Sequence, residues 1–468
     1  MTPDEFRRYA HQVVDWVARY WTDLESHRVT PDVHPGEVAA GLPAAPPETG
    51  EDFAAVLTDL DRVVLPGVTH WQHPSYFAYF PANTSGPSVL ADLVCAGLGV
   101  QGMLWSTSPA ATEIETVVLD WLAELLALPE RFRSSGTGGG VIQDSASSAT
   151  LVATLAALHR ASGGAWRREG VRARYLVYTS NQGHSSIEKA ARLAGLGDDS
   201  VRLIEVDADH AMRPGALRAA LEADRAVGEK PALVVATIGT TSTTAVDPLP
   251  EIGRICREYG VWLHVDAAYA GAAAVCPELR WTHDGVGFAD SYCFDPHKWL
   301  LTGLDCDAFW VADRAELVAA LTVLPEYLRN TASESGAVID YRDWQVPLGR
   351  RFRALKLWFV LRWYGAEGLR AHVRSGVALA QEFAAWVRAD SRFEIVAPHP
   401  FSLVCFRLRA DDVANEGLLG RVNDTGQTYL THTKVDGRYA LRLAIGSPLT
   451  EQRHVAAAWK LIQASANG

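Results

Sequence analysis

VWLHVD, residues 261–266, is an apolar run that ends on a carboxylate, and it determines how the rest of the chain is interpreted. Similar apolar runs precede it: VIQ at 141–143, YLVY at 175–178, VRLI at 201–204 and ALVVA at 232–236. Segments with helical periodicity, such as residues 216–227, separate these runs. Apolar strands that alternate with helices predict an α/β fold built on a mainly parallel sheet, with helices covering both faces.

The chain outside these runs predicts two further parts. Residues 1–85 begin with a capping box, Thr2 to Glu5, and continue as an amphipathic helix followed by turn-rich sequence. This helical segment is too thin for a core of its own, so we expect it to pack against a second subunit. The large domain is then expected at 86–360, and a small α+β domain at 361–468, with strand-like runs at 402–407 and 439–444.

Composition excludes several classes of protein. The 468 residues carry a net charge of -12, which argues against a nucleic-acid partner, and no apolar run is long enough for a membrane span. The polar start MTPDEFRRYA does not resemble a secretion signal. Six cysteines without CxxC spacing indicate reduced thiols rather than disulfides or zinc. We therefore expect a cytoplasmic enzyme without a metal site.

Polar residues follow three of the apolar runs, where a parallel sheet usually binds its ligands. Ser145, Ala146 and Ser147 follow the first run and precede a helix. Such a helix N-terminus can bind a phosphate monoester, although an ordinary serine N-cap has the same sequence pattern. His184 follows the second run, where it could contact a ligand or only cap a helix. Asp266 ends VWLHVD, and a buried carboxylate there needs a cation, a helix cap or an ion pair.

Lys298 lies further along the chain, in the aromatic-flanked stretch FDPHKW at 294–299. Lysine is seldom buried among such neighbours, and a desolvated lysine can become a nucleophile for carbonyl groups. Pyridoxal phosphate requires a phosphate site, a carboxylate for its ring nitrogen, a planar residue that stacks on the ring and a nucleophilic lysine. The four sites together therefore predict pyridoxal phosphate as the cofactor.

Ordered motifs extend over nearly the whole chain. They are PGVTHW (66–71), YFP (79–81), SPA (108–110), GVIQ (140–143), HSS (184–186), HVDAA (264–268), PHKW (296–299) and LGRRFR (348–353). In these motifs the chain resembles the aromatic-L-amino-acid decarboxylase family, group II of the pyridoxal-phosphate-dependent decarboxylases. The resemblance implies the fold-type I architecture and an obligate homodimer with shared active sites. It also implies decarboxylation of an aromatic L-amino acid (tryptophan, phenylalanine, tyrosine or dihydroxyphenylalanine) to the arylalkylamine and CO₂.

The same resemblance implies roles for individual residues. Lys298 would bind the cofactor covalently, Asp266 would pair with the ring nitrogen, and His184 would stack on the ring. Further residues implied at the cofactor site are Ser145, Ala146 and Ser147 at the phosphate, together with Thr237, Ala268 and His297. Tyr327 matches the tyrosine of a mobile loop that, with His184, returns a proton to Cα after CO₂ leaves.

Four residues are expected to shape the substrate site. Trp71, Tyr79 and Phe80 supply flat apolar surface for an aromatic side chain. Gly349 falls where family members with serine tend to favour phenols and those with glycine admit indoles, because the missing side chain leaves room for a second ring. We therefore expect tryptophan or phenylalanine to be turned over at least as efficiently as dihydroxyphenylalanine.

The chain departs from the family pattern at several positions. Asp295 stands where many members have asparagine beside the phosphate, and a second anion there would weaken phosphate binding unless it faces away. Asp144 replaces a common glycine, and the departures Ala82, Met103 and Leu304 concern specificity.

Three other functions compete with decarboxylation. An aromatic acetaldehyde synthase would combine decarboxylation with oxidative deamination, but the presence of both Tyr327 and His184 favours the plain decarboxylase. An aminotransferase or aldolase would share the cofactor residues without the aromatic motif near Trp71. A non-catalytic binding protein would not need both Lys298 and Asp266.

Overall fold

The computed structural model describes residues 1–323 and 338–466, and its chain divides into two compact units. The large unit comprises Ala82–Gln381 and Val396–Cys405. The small unit comprises Met1–Pro81, Glu382–Ile395 and Phe406–Gly468. The domain boundaries expected from the sequence remain predictions.

The large unit contains a seven-stranded sheet. Its strands are β1 (Gly139–Gln143), β2 (Tyr175–Ser180), β3 (Val201–Ile204), β4 (Lys230–Thr237), β5 (Trp262–Asp266), β6 (Ser291–Phe294) and β7 (Asp307–Val311). The order across the sheet is β1-β7-β6-β5-β4-β2-β3, and β7 alone runs in the direction opposite to the other six strands. The mainly parallel sheet and all five of its predicted strands are confirmed, whereas β6 and β7 were not predicted from the sequence.

The direction of β7 determines where the strand ends meet. Because β7 is antiparallel to both β1 and β6, β1 points the same way as the parallel strands on the other side of β7. The carboxyl ends of β1, β2, β4, β5 and β6 therefore lie along one edge of the sheet, which we call the carboxyl edge.

Helices pack on this sheet and carry its connections. Among the described residues, the α-helices that begin in the large unit are Gly86–Leu98, Pro109–Leu125, Ala146–Ser162, Trp166–Glu169, Ser186–Leu193, Pro214–Ala226, Leu249–Tyr259, Pro296–Trp299, Arg314–Leu321 and Ala354–Ala389. The last of these is two helices separated by a kink at the non-helical Gly365. The 3₁₀ turns described in this unit are Trp105–Thr107, Glu130–Phe132, Asp198–Ser200, Ala270–Val275, Pro277–His283, Val286–Phe288 and Tyr341–Trp344. Ala149, Val152 and Ala156 of one helix pack in a buried cluster with Val177 and Leu233 of the sheet. Small alanine side chains let this helix approach the strands closely, which fixes its N-terminus at the carboxyl edge.

The small unit contains a four-stranded sheet of order β10-β11-β9-β8. The strands are β8 (Phe393–Ile395), β9 (Leu403–Leu408), β10 (Thr431–Val435) and β11 (Arg438–Ala444), so β9 begins in the large unit. Its helices and helical turns are Pro3–Asp23, Leu24–Ser26, Glu37–Ala40, Phe53–Asp59, Leu60–Val64, Leu65–Gly67, Asp412–Asp424 and Gln452–Ser465. The strand-like runs expected at 402–407 and 439–444 correspond to β9 and β11.

The first helix, Pro3–Asp23, begins as its sequence predicts. Thr2 Oγ1 accepts a hydrogen bond from the Glu5 backbone N–H at 3.2 Å, and the Glu5 carboxylate accepts one from the Thr2 N–H at 2.7 Å. The helix has no buried residue, although its apolar side chains share one face. Across the described residues, none of the helices has both the length and the apolar character needed to span a membrane.

Candidate active site

Lys298 lies just beyond the end of β6, on the short helix Pro296–Trp299. Asp295 directly precedes this helix, and its backbone carbonyl accepts a hydrogen bond from the Lys298 N–H at 2.9 Å, which closes the turn. The Lys298 Nζ lies 2.7 Å from Asp295 Oδ2, and 28% of the Lys298 side chain remains exposed. The lysine therefore lies at the carboxyl edge with its amino group paired to a carboxylate and still accessible.

Asp295 connects several of the predicted site residues. Its Oδ1 accepts a hydrogen bond from the Ala146 backbone N–H at 3.2 Å and lies 3.6 Å from His297 Nε2. Its own backbone N–H donates to the Ala268 carbonyl at 2.9 Å. The carboxylate thus faces the site and does not turn away from it. The sequence drew attention to Asp295 as a departure from the family pattern, but it did not predict this central position.

Asp295 and Lys298 each stabilise the charged form of the other. Burial by itself would raise the pKa of the Asp295 carboxyl, but the adjacent Lys298 ammonium outweighs burial and lowers that pKa. Burial would likewise lower the pKa of Lys298, but the Asp295 charge outweighs it and raises that pKa. Lys298 is therefore an ammonium ion near neutral pH. The desolvated, neutral lysine expected from the sequence is not found, and Lys298 must lose a proton before its amino group can attack a carbonyl carbon.

Asp266 ends β5 beside Thr237, the last residue of β4, because the two residues are partners in the strand ladder. Asp266 Oδ1 accepts a hydrogen bond from the Ala268 backbone N–H at 3.0 Å, and the carboxylate is buried. The Thr237 hydroxyl is also buried, and its oxygen has no hydrogen-bond partner among the described residues. This edge of the sheet therefore presents a carboxylate and an unsatisfied hydroxyl group side by side.

Asp247 fixes the end of β4 and was not identified from the sequence. Its carboxylate accepts hydrogen bonds from the backbone N–H groups of Thr237 and Met212, at 2.8 and 2.7 Å. Burial raises the pKa of Asp247 to about 6 despite these two donors. A lone aspartate between strands gives no sequence signal for this role, because its partners are backbone groups distant in the chain.

The predicted phosphate site is a helix N-terminus at the carboxyl edge. The helix begins at Ala146, and Ser145 is its N-cap residue. In the described part of the chain, the Ser145 side chain makes no capping hydrogen bond and instead lies 3.3 Å from Asp144 Oδ2. The interpretation of Ser145 as an ordinary side-chain N-cap is therefore wrong, since its hydroxyl donates to the Asp144 carboxylate instead.

His184 follows β2 on the same edge and is exposed. Its Nδ1 accepts a hydrogen bond from the Ser186 backbone N–H at 3.2 Å and lies 2.9 Å from the Ser186 hydroxyl. A backbone donor at Nδ1 places the proton of the neutral ring on Nε2. The imidazole therefore has a fixed tautomer with Nε2 as its remaining donor.

These residues meet the chemical requirements of pyridoxal phosphate. The helix that begins at Ala146 supplies N-terminal backbone N–H groups for a phosphate, although the Ala146 N–H itself donates to Asp295. Asp266 supplies a carboxylate for a ring nitrogen. The unpartnered Thr237 hydroxyl supplies a further polar contact, and Lys298 supplies an amino group for an aldehyde. The large unit alone therefore contains every kind of group that the cofactor needs.

The aromatic residues expected at the substrate lie together in the small unit. The Trp71 and Tyr79 rings stack with centroids 5.7 Å apart, and both residues are exposed. Tyr79 adopts a left-handed backbone conformation with φ of 53°, which is uncommon for a residue with a bulky side chain. The Arg442 guanidinium lies over the Phe80 ring, 5.2 Å from its centroid.

Gly349 lies against Gln101 in the large unit. A Cβ atom at Gly349 would lie 3.3 Å from Gln101 Nε2, so a larger residue would press on that amide. Gln101 Oε1 accepts a hydrogen bond from the backbone N–H of Arg350 at 2.5 Å, which holds the two segments together. Tyr327, also predicted from the sequence, lies outside the described residues.

The fold and the site together define a pyridoxal-phosphate-dependent enzyme, since a lysine, a buried carboxylate and a helix N-terminus meet at one edge of a mainly parallel sheet. The family model "Pyridoxal-dependent decarboxylase conserved domain" matches residues 35–409. The chain therefore belongs to the pyridoxal-dependent decarboxylases, within which it is a member of the aromatic-L-amino-acid decarboxylase family. The family and the cofactor predicted from the sequence are both confirmed.

Individual relatives cover nearly the whole chain. The chain is 47% identical to phenylacetaldehyde synthase of Arabidopsis thaliana, over 100% of this chain and 97% of that protein. It is 46% identical to aromatic-L-amino-acid decarboxylase of Rattus norvegicus, over 99% of this chain and 98% of that protein. Among solved structures, Oryza sativa TDC with PLP and tryptamine has a TM-score of 0.97 and 44% identity, over 100% of this chain and 98% of that chain.

Proposed function

We propose that this enzyme removes the α-carboxylate of an aromatic L-amino acid and releases the arylalkylamine and CO₂. The observation that carries the proposal is the accessible Lys298 amino group, which lies at the carboxyl edge to which Asp266 and the Ala146 helix N-terminus also belong. Relatives with 46–47% identity include an aromatic-L-amino-acid decarboxylase, which supports the aromatic substrate class.

Each residue has one task in this proposal. The Lys298 Nζ binds the cofactor, and the Asp266 carboxylate hydrogen-bonds to its ring nitrogen and keeps that nitrogen protonated. The bound cofactor supplies a protonated ring that accepts the electron pair released when the bond from Cα to the carboxylate breaks. The phosphate is held by Ser145, Ala146 and Ser147, while Thr237, Ala268 and His297 line the site.

Proton return to Cα falls to His184 and Tyr327. His184 Nδ1 accepts a hydrogen bond from the Ser186 N–H, so Nε2 is the ring nitrogen that can donate. Tyr327 supplies a phenolic proton to Cα after CO₂ has left. If this proton is delivered quickly, the product is the amine; if delivery fails, molecular oxygen can compete for the electron pair. The second candidate, aromatic aldehyde formation, rests on the 47% identity to a phenylacetaldehyde synthase, which equals the identity to a tryptophan decarboxylase of Camptotheca acuminata.

The substrate side chain is proposed to bind on Trp71, Tyr79 and Phe80, with Gly349 leaving space for an indole. Trp71 and Tyr79 already form a stacked pair in the small unit, and the Gly349 site has no side chain to fill it. An apolar pocket rejects an added hydroxyl group by only about 100-fold, so several aromatic amino acids should be accepted.

The enzyme is further proposed to act as a cytoplasmic homodimer with shared active sites. The helix Pro3–Asp23 exposes apolar residues, including Phe6 and Val14, and a second copy of the chain would cover them. All six cysteines are free, as expected of a protein kept under reducing conditions. Sedimentation equilibrium should give twice the chain mass, and deletion of the first helix should shift it towards the monomer.

Product analysis tests the proposed reaction. The purified enzyme, loaded with pyridoxal phosphate, is incubated separately with tryptophan, phenylalanine, tyrosine and dihydroxyphenylalanine. We expect one amine and one CO₂ per amino acid consumed, and kcat/KM for tryptophan or phenylalanine at least equal to that for dihydroxyphenylalanine. The Lys298→Ala variant is the control for cofactor-independent turnover. Aldehyde and ammonia as the main products would instead establish the second candidate, and a keto acid would contradict both.

A further inference from the structure

Asp295 faces a second buried aspartate across the sheet. Strands β6 and β7 are antiparallel, and their last paired residues at this end are Phe294 and Ala308. If this register is continued by one residue beyond the last pair, it sets Asp295 opposite Asp307, and both residues are buried. Residues directly opposite each other on antiparallel strands bring their side chains within contact distance. The site thus contains two neighbouring carboxyl groups, although the proposed reaction uses neither of them.

The two carboxyl groups differ in their hydrogen-bond donors. Asp295 has Lys298 Nζ at 2.7 Å, the Ala146 N–H at 3.2 Å and His297 Nε2 at 3.6 Å. Neither oxygen of Asp307 has an N–H or O–H donor within hydrogen-bonding distance among the described residues. A fully buried carboxylate without any donor is strongly disfavoured. A proton on Asp307 removes that cost, because the resulting O–H group can donate to the Asp295 carboxylate.

We propose that Asp295 and Asp307 share a single proton and act together as one negative charge, which is the counter-ion of Lys298 before the cofactor binds. Asp307 is then a positioning residue: its O–H group donates to Asp295 and keeps that carboxylate ionised and directed at the lysine. The inference goes beyond the proposed reaction, because it concerns the chain before any substrate or cofactor is present.

The surrounding charges agree with this assignment. Burial, and then the Asp295 charge, raise the pKa of Asp307 well above its usual range, while Lys298 keeps the pKa of Asp295 low. Three other ionisable groups interact electrostatically with the pair: His297 with Asp295, Asp266 with Asp307, and Cys293 with both aspartates. Asp305 in turn influences His297. Burial lowers the pKa of His297, and Asp305 is paired with Arg353 at 3.1 Å. Lys298 is therefore the cation that balances the pair.

Infrared spectroscopy of the full-length, cofactor-free chain tests for the shared proton. The measurement is made at pH 8, which lies above the pKa of about 6 of the buried Asp247, so that this carboxyl group is ionised. We expect the wild type to show the C=O stretching band of a neutral carboxylic acid. Asp307→Asn and Asp295→Asn should each remove that band, because a single carboxyl group beside the Lys298 ammonium ionises. If the wild type has no such band, or if the band survives in both variants, the pair does not share a proton.

Acetic anhydride labelling of Lys298, followed by peptide mapping, tests the counter-ion role. Each single variant keeps one carboxylate, so the pH of half-maximal Lys298 labelling should stay near that of the wild type. The double variant Asp295→Asn/Asp307→Asn lacks the counter-ion, so that pH should fall by about one unit or more. At a fixed pH below the midpoint, this corresponds to about tenfold faster labelling of Lys298. The exposed Lys230 provides the internal reference. An unshifted Lys298 profile in the double variant would overturn the counter-ion role, whatever reaction the loaded enzyme performs.

Discussion

Replacing Glu115 with alanine should destabilise the large unit, because Glu115 is the counter-ion of a buried arginine. Arg350 donates to the two Glu115 carboxylate oxygens at 2.7 and 3.1 Å, and the side chains of Arg350 and Glu115 are only 1% and 2% exposed. Glu115 Oε1 also accepts a hydrogen bond from the Ile142 N–H at 2.8 Å. The variant would leave a buried guanidinium without its counter-charge and a buried N–H without an acceptor.

Loss of one partner of a buried ion pair costs about 3–5 kcal/mol, and the unsatisfied Ile142 N–H places Glu115→Ala at the upper end of that range. Urea denaturation followed by tryptophan fluorescence measures the loss as a lower midpoint concentration. The matched control is Glu258→Ala, which breaks an equally short pair with Arg218, at 2.8 Å, on an exposed face. Exposed pairs are screened by water, so this control should unfold close to the wild type.

A second variant separates the charge from the side-chain volume. Replacing both residues, as in Glu115→Met/Arg350→Met, removes the two charges together and should recover a large part of the stability that Glu115→Ala loses. If Glu115→Ala unfolds at the same urea concentration as Glu258→Ala, the buried pair does not stabilise the unit and the reasoning is refuted. The same network also reaches β1, since Arg350 donates to the Ile142 carbonyl at 3.0 Å. Glu115→Ala should therefore also retain pyridoxal phosphate less tightly in equilibrium dialysis.

Three further predictions concern the proposed active site. Borohydride reduction of the loaded enzyme, followed by peptide mapping, should place the pyridoxyl group on Lys298, and Lys298→Ala should abolish turnover; a label on another lysine would contradict the assignment. Asp266→Ala should lower kcat by about 100-fold or more at saturating cofactor, because the ring nitrogen loses the charge that keeps it protonated, whereas near-normal turnover would make Asp266 merely structural. Tyr327→Phe should slow amine release and yield aldehyde and ammonia in the presence of oxygen, and an unchanged amine yield without aldehyde would exclude its role in proton return.

Much of the fold could be predicted from local sequence. The apolar run at 261–265 becomes β5, and the capping box at Thr2 does begin a helix. Strand β6 was missed because its sequence SYCF, Ser291–Phe294, begins with a polar residue and is not a continuous apolar run. Strand β7, Asp307–Val311, was missed although its stretch AFWV is apolar. The pairing of Gln143 with Asp307 shows the difficulty, because residues so distant in sequence become neighbours only in the folded sheet.

Some residues of the candidate site could likewise be predicted from the sequence, and others could not. The residues that follow strands (Ser145, His184, Asp266 and Lys298) could be identified because the carboxyl ends of parallel strands meet at one edge, whatever the exact strand order. The orientation of Asp295 could not, because it depends on which donors surround the side chain after folding. Asp247 and Asp307 were likewise not identified, since their environment consists of backbone groups and side chains from other strands.

The sequence by itself determined the family, the cofactor and the order of the chemical groups along the chain, because each depends on short local patterns. The tertiary structure alone decided that Asp295 faces Lys298 and Ala146, that Asp307 lies opposite Asp295, and that Glu115 neutralises Arg350. The physical reason is that pairing across a sheet and the energetic cost of a buried charge depend on neighbours that are remote in sequence. Those neighbours come into contact only after the strands have paired in the folded sheet.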